Sequence, residues 1–152
     1  MWQIRLVVVG KLRQHYLRDG CAEYLKRLTR YARITVVELK EEGSTPQGKQ
    51  RTNERLMAAI GDSACVVALD SHGEQLSSVQ MATFLQQTAM RNSLCFVIGG
   101  ADGLPPSVLQ SAALVLSFSR LTFPHQLFRL IFLEQLYRWC TIINDEPYHC
   151  GH

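Results

Sequence analysis

Three short segments of the chain carry residue types suited to holding a ligand, and each follows an apolar run that predicts a β-strand. They are 70–73 (Asp-Ser-His-Gly), 99–104 (Gly-Gly-Ala-Asp-Gly-Leu) and 118–125 (Phe-Ser-Arg-Leu-Thr-Phe-Pro-His). Glycine and small polar residues at such places let the backbone approach a ligand closely. The segment 99–104 matches neither G-x-G-x-x-G nor G-x-x-x-x-G-K-S/T, so the sequence does not favour a dinucleotide or nucleoside triphosphate site.

Four side chains in the last quarter of the chain add groups that accept a proton or stabilise an anion: His125, Arg129, Tyr148 and His149. Each of them has an ordinary structural explanation as well. His125 is placed to cap the last helix, Arg129 to pair with an acid of a partner chain, and the other two to lie in a frayed terminus. The residue types alone leave both interpretations open.

Apolar runs and amphipathic segments alternate along the chain and predict the elements that must position these groups. The predicted strands are 4–9, 34–39, 64–69, 94–98 and 114–118. The predicted helices are 15–30, 55–60, 76–90, a short one opened by Pro105 and Pro106 and running through 109, and 126–144. The polar run 41–50 predicts a loop.

This strict alternation predicts a single α/β domain over 1–152, built on a mostly parallel five-stranded sheet with helices on both faces. In such sheets, ligands bind beyond the carboxyl ends of the strands. The three segments that follow the third, fourth and fifth strands should therefore meet in one site.

The last predicted helix is apolar on almost every side, which is typical of a helix that is buried all round. Because the sheet of so small a domain covers only one face of it, we expect another face to pack against a second copy in a homodimer. A monomer with this helix wholly inside one core is the alternative. Glu134 and Arg138, four residues apart, should pair on the remaining polar stripe.

Composition places the chain among ordinary globular proteins. Of its 152 residues, 47% are hydrophobic and 19% are charged, and the apolar run 4–9 is too short to span a membrane. The five cysteines are odd in number and show no C-x-x-C spacing. We therefore expect reduced thiols in the cytoplasm, no disulfide framework, no membrane association and no metal site.

Basic residues are concentrated in one part of the chain, although the net charge is only +3. Between residues 11 and 33 there are seven basic side chains against two acidic ones. The phosphates of RNA would bind such a segment through direct contacts and counterion release. A solvated helix face with ordinary charges explains the same pattern.

Several motifs in a fixed order give the chain a family resemblance that covers most of its length. They are 4–10, 67–70, 96–100 with 103–104, 116–119 with 121–125, Arg129, 134–138 and 147–149. On these motifs the chain resembles the SPOUT-class methyltransferases. Within that class it is similar to the small single-domain family that methylates N3 of a pseudouridine in 23S (large-subunit) ribosomal RNA.

The resemblance implies a trefoil knot in the C-terminal part of the sheet, an exception to the rule that chains do not thread loops. It also implies S-adenosylmethionine as the cofactor, no metal, and a pocket that binds the cofactor largely through main-chain groups. The residues implied to bind the cofactor are Leu69, Gly99, Gly100, Phe118, Ser119, Arg120, Leu121, Thr122 and Phe123.

The resemblance further implies action on large-subunit RNA in the ribosome, with the C-terminal tail of one protomer placed in the active site of the other. His149 and Tyr148 then contact the target base, with Arg129 and His125 as nearer alternatives. The tail departs from the family pattern, because 150–152 are Cys-Gly-His where members usually carry Lys or Arg. This departure favours a rival interpretation, a non-catalytic RNA-binding or ribosome-assembly factor with the same fold.

Overall fold

Strands and helices alternate throughout the computed structural model, which describes residues 1–63, 65–89 and 93–150. The strands are β1 (Trp2–Val9), β2 (Ala32–Leu39), β3 (Cys65–Gln75), β4 (Leu94–Ile98) and β5 (Leu114–Ser117). The α-helices are α1 (His15–Leu28), α2 (Pro46–Ile60), α3 (Ser78–Phe84), α4 (Pro106–Ser111) and α5 (His125–Ile143), and a π-helical turn, Leu85–Ala89, follows α3.

The five strands form one sheet in the order β2-β1-β4-β3-β5, and every adjacent pair of these strands is parallel. This confirms the predicted α/β class with its parallel five-stranded sheet. Since all strands run the same way, their carboxyl ends lie along one edge, and the segments that follow β3, β4 and β5 emerge side by side.

Both faces of the sheet are covered, so the central strands alternate between two apolar cores. Leu6 of β1 belongs to a core that also contains Phe132 and Trp139 of α5. The next residue, Val7, belongs to a second core with Leu56 of α2 and, on the same side, residues of α4. Continuous apolar runs such as β4, in which all five residues are buried, are expected for parallel strands covered on both faces.

Helix α2 begins nine residues earlier than the sequence analysis predicted, and the predicted loop over 41–50 is wrong for its second half. The Thr45 hydroxyl accepts a hydrogen bond from the Gly48 N–H at 3.0 Å, and Pro46 occupies the first helical position. Both are standard helix-starting features. They are overlooked when apolar periodicity is the guide, because the first turns of α2 are polar and exposed.

Strand β3 also differs from its prediction, because it continues beyond Leu69 to Gln75 with a shift of register against β5 between Leu69 and Glu74. Gly73 lies so close to β5 that an added Cβ would meet the Val115 carbonyl oxygen at 2.5 Å. The predicted helix over 76–90 begins two residues later than predicted, at Ser78, because Ser77 caps it. Three predicted features lie outside the described residues. They are the end of this helix at residue 90, the start of the third strand at Ala64, and the last two residues of the tail.

Helix α5 packs along α1 and α3 in the same chain. Its buried residues are Arg129, Phe132, Leu133, Leu136, Trp139, Cys140 and Thr141, and the apolar residues between them remain partly accessible. The predicted pair on its polar stripe is confirmed, with Arg138 Nη2 2.6 Å from Glu134 Oε1. In the part of the chain described, no helix combines the length and the apolar character that crossing a membrane requires.

Candidate active site

A cleft of about 220 Å³ opens at the carboxyl edge of the sheet, between residues 69–71 of β3 and the ends of β4 and β5. The three segments singled out in the sequence meet there, as the parallel sheet requires. The lining residues are Leu69, Asp70, Ser71, Ile98, Gly99, Gly100, Ala101, Gly103, Leu116, Phe118, Ser119, Leu121, Thr122, Phe123, His125 and Phe128.

The residues implied to bind the cofactor all line this cleft except Arg120, whose side chain is exposed. The sequence analysis missed the contributions of Ile98 and Leu116, because a strand's last apolar residues resemble ordinary core. It also missed Phe128, which is indistinguishable in sequence from the other apolar residues of α5. Asp70, Ala101 and Gly103 fall inside the segments that were singled out, although no role was assigned to them.

The turn after β4 forms one wall of the cleft with main-chain atoms. A Cβ added to Gly99 would lie 2.7 Å from both the carbonyl carbon and the oxygen of Gly103, a distance that real side chains do not tolerate. Gly103 has a φ of 73°, and its N–H donates to the Gly100 carbonyl at 3.1 Å. The turn therefore folds back on itself, which leaves no space for side chains between its two arms.

The opposite wall, residues 118–123, contributes two aromatic rings and Leu121 together with the polar Ser119 and Thr122. Phe118 and Phe128 have ring centroids 4.9 Å apart, and Phe123 stacks on Phe128 at 6.1 Å. The Leu121 N–H donates to the Ser119 hydroxyl at 3.0 Å, which tightens the segment and leaves the Leu121 side chain 72% exposed. A slot between main-chain amides and aromatic rings is suited to a flat, neutral heterocycle.

His125 and Arg129 are one turn apart on α5 and both contact Gly10 at the end of β1. His125 lines the cleft, and its Nε2 lies 3.3 Å from where a Gly10 Cβ would stand. Arg129 is only 5% exposed and donates to Glu38 Oε2 at 2.5 Å and to the Gly10 carbonyl at 3.0 Å. Arg129 therefore pairs with an acidic residue of its own chain and not of a partner chain. It is not among the residues that line the cleft.

Tyr148 and His149 pack against the second half of α5 instead of fraying. The Tyr148 hydroxyl donates to Glu134 Oε1 at 3.1 Å, and the Arg138 guanidinium lies over its ring at 4.9 Å. Arg138 Nη1 is also 3.2 Å from His149 Nδ1. Burial, the Tyr24 hydroxyl and the Glu134 carboxylate raise the pKa of Tyr148, so its hydroxyl remains protonated at neutral pH.

The structure does not bring this tail into the cleft of its own chain. Arg138, which contacts both tail residues, is 13 residues along α5 from His125 at the cleft, about 20 Å at the rise of an α-helix. Within one chain, the predicted base-contacting groups therefore form two separate sets. His125 belongs to the cleft, and Tyr148 with His149 belongs to the far part of α5.

The buried cysteines are unsuited to chemistry. Burial raises the pKa of Cys95 to about 11 and that of Cys140 to about 12, so both thiols stay protonated and unreactive. Across the described ranges 1–63, 65–89 and 93–150, no three side chains of His, Cys, Asp or Glu cluster as a metal site would require.

Comparison with known proteins gives matches that extend over nearly the whole chain. A family model described as predicted SPOUT methyltransferase matches residues 2–149. A ribosomal RNA large subunit methyltransferase H from Pelotomaculum thermopropionicum is 48% identical, with 98% of this chain and 99% of the relative covered. One from Carboxydothermus hydrogenoformans is 45% identical, with 97% and 99% covered.

Solved structures share the fold at much lower sequence identity. A probable methylase family protein from Haemophilus influenzae superposes with a TM-score of 0.62 at 12% identity, covering 98% of this chain and 71% of that one. A probable methyltransferase from Bordetella pertussis gives 0.55 at 13% identity, covering 91% and 96%.

The parallel sheet, the cleft at its carboxyl edge and these matches define an α/β knot protein of the SPOUT methyltransferase class. The predicted C-terminal trefoil knot is the topology that this class implies. Within the class, the chain belongs to the ribosomal RNA large subunit methyltransferase H family.

Proposed function

We propose that this protein transfers a methyl group from S-adenosylmethionine to N3 of a pseudouridine in 23S (large-subunit) ribosomal RNA, in the cytoplasm and on the ribosome. The observation that carries the proposal is end-to-end similarity, at 48% identity, to a relative named for methylating large-subunit RNA. The finer substrate, the pseudouridine N3, follows from the family resemblance of the motifs that line the cleft and form the tail.

The cleft residues fit the cofactor. The main chain of the 99–103 turn offers N–H and carbonyl groups, and Leu69, Leu116 and Phe118 offer an apolar surface for adenine. The Asp70 carboxylate lies in the same lining and favours a cationic sulfonium nearby. S-adenosylmethionine supplies an electrophilic methyl group when it is bound, and this chemistry requires no metal.

Methyl transfer to a ring nitrogen needs the nitrogen in line with the methyl group and without its proton. The N3–H of pseudouridine is weakly acidic, so a nearby guanidinium that stabilises the anion lowers the cost of removing the proton. Arg138 holds such a guanidinium against His149 Nδ1. Because Arg138 donates to Nδ1, a neutral imidazole carries its hydrogen on Nε2 and donates it to the target base, which stabilises the N3 anion while the N3 proton passes to solvent. Arg129, with its charge engaged by Glu38, acts by positioning Gly10 beside His125.

We propose further that the protein is a homodimer in which each tail completes the partner's site. The tail lies far from the cleft of its own chain, while the cleft mouth presents apolar side chains that remain accessible, Leu121 at 72% and Phe123 at 36%. A two-fold contact between the α5 faces of two copies buries such a surface on both at once.

The direct test is calorimetric titration of the purified protein with S-adenosylmethionine, followed by transfer of a tritiated methyl group to large subunits lacking the modification. Binding with transfer to the pseudouridine supports the proposal. Binding without transfer favours the non-catalytic assembly factor, for which the Cys-Gly-His ending is the supporting observation. A protein that does not bind the cofactor contradicts both.

Replacing His149 with alanine is expected to slow methyl transfer by about 100-fold, the usual effect of losing a hydrogen-bond donor that stabilises a developing anion. The affinity for S-adenosylmethionine should stay unchanged, since His149 is proposed to contact the target base and not the cofactor. Single-turnover transfer at saturating cofactor measures the first quantity, and titration calorimetry measures the second. The matched control is His15→Ala, an exposed histidine at the start of α1, which should retain the wild-type rate.

Mixing two inactive variants tests whether the tail acts across the dimer. A protomer with His149→Ala keeps an intact cleft, and one with Gly99→Leu keeps an intact tail. If the tail serves the partner's cleft, random mixed dimers recover about a quarter of the wild-type rate. If mixing restores no transfer, the tail does not act on the partner and this part of the proposal fails.

A further inference from the structure

The loop between β2 and α2 contacts the glycine turn 99–103 through the side chain of Glu41. The Ala101 N–H, in the glycine turn that lines the cleft, donates to Glu41 Oε1 at 3.2 Å. The same oxygen lies 2.8 Å from where a Gly100 Cβ would stand, so the carboxylate rests directly against the back of the turn. A cavity of about 210 Å³ adjoins this contact.

The segment that carries Glu41 is itself fastened to α2. The Glu42 N–H donates to the Thr52 hydroxyl at 3.1 Å, and the Glu42 carboxylate pairs with Arg55. A Cβ on Gly48 would meet the Glu42 carbonyl oxygen at 2.3 Å, so the absence of a side chain there lets the segment pack against the first turns of α2. Glu41 therefore projects from a rigid support.

Two hydrogen bonds restrain the turn, one within it and one to Glu41. Its internal hydrogen bond, from the Gly103 N–H to the Gly100 carbonyl at 3.1 Å, fixes its shape, and the Glu41 contact fixes its place relative to α2. A main-chain binding surface works only if its N–H and carbonyl groups are held where the ligand needs them.

We propose that Glu41 is a positioning residue for the cofactor: its carboxylate holds the 99–103 turn in the conformation that binds S-adenosylmethionine. This inference rests on the proposed function for the identity of the ligand. Glu41 itself is not part of the cleft lining, so it acts through Ala101 and Gly100 rather than by touching the cofactor.

The test compares Glu41→Ala, Glu41→Gln and the control Glu54→Ala, an exposed glutamate of α2. Loss of a hydrogen bond to a charged acceptor predicts a rise of about tenfold in the Kd for S-adenosylmethionine with alanine. Glutamine keeps an oxygen acceptor and should restore binding to within about twofold. The Kd of Glu54→Ala should equal that of the wild type. For Glu41→Ala, the KM for S-adenosylmethionine should rise by a much larger factor than the one by which kcat falls.

Amide hydrogen exchange of Ala101 in the cofactor-free protein separates this inference from the proposed function. Faster exchange in Glu41→Ala, but not in Glu41→Gln, supports the role of Glu41 even if the wild type binds a different ligand. An unchanged Kd together with unchanged Ala101 exchange overturns the inference while leaving the proposed function standing. A weakened Kd that glutamine does not rescue also overturns it, because the carboxylate would then act through its charge.

Discussion

Replacing Gly99 with leucine is expected to weaken S-adenosylmethionine binding by at least about 100-fold, or about 2.7 kcal/mol. Any Cβ at this position would stand 2.7 Å from the backbone of Gly103, and backbone yields less readily than the end of a flexible side chain. The turn must open, and its main-chain groups then leave the wall of the cleft. Titration calorimetry well below the unfolding temperature measures the loss.

A matched pair of alanine variants separates this local effect from general damage. Gly20→Ala adds the same atom to α1, where it meets only the flexible side chain of Leu130, at 2.9 Å, and alanine favours a helix interior. Its affinity for the cofactor should equal that of the wild type, whereas Gly99→Ala should already bind more weakly. Equal affinities for the two variants would mean that the cofactor binds elsewhere.

The sheet and the position of its cleft could be predicted because they depend on local pattern. β4 is a short apolar run followed by glycines, and a parallel sheet places the ends of its strands together whatever the details of the loops. β4 pairs in parallel with both β1 and β3, as this expectation requires. The apolar residues at the strand ends and on α5 could not be assigned to the cleft, since core and lining have the same composition.

The partners of the charged residues could not be predicted, because they are far apart in sequence. Arg129 pairs with Glu38 at the end of β2, although the structural alternative in the sequence analysis was an acid of a partner chain. Tyr148 packs on Glu134 and Arg138, so the alternative of a frayed end is wrong. Nothing in the local sequence around Arg129 or Tyr148 specifies such contacts.

The continuation of β3 from residue 70 to residue 75 could not be predicted either, because it too depends on a contact that is distant in sequence. Residues 70–75 are polar and contain Gly73, a composition that predicts a loop, but Gly73 permits a close approach to Val115 of β5. The pairing partner, rather than the propensity of the segment, makes it a strand.

The buried pair of Arg129 and Glu38 leads to a prediction about stability. Replacing Glu38 with alanine should lower the free energy of unfolding by about 3 kcal/mol, because among the described residues it leaves the buried Arg129 charge with the Gly10 carbonyl as its hydrogen-bond partner. Arg129→Met should cost only about 1 kcal/mol, since the side chain left behind, Glu38, is 40% exposed and is hydrated. Urea unfolding of the three proteins measures both values.

The informative result is which single variant loses more stability. Glu38 is the more exposed residue of the pair, so exposure alone would predict the smaller loss for Glu38→Ala, whereas we expect the larger one. The double variant should be about as stable as Arg129→Met, since removing the acid costs little once the buried charge is gone. Glu23→Ala, which breaks the exposed pair with Arg27, serves as the control and should leave stability unchanged. If Arg129→Met proves the more damaging single change, the guanidinium is a net source of stability and its burial imposes no penalty that Glu38 must offset.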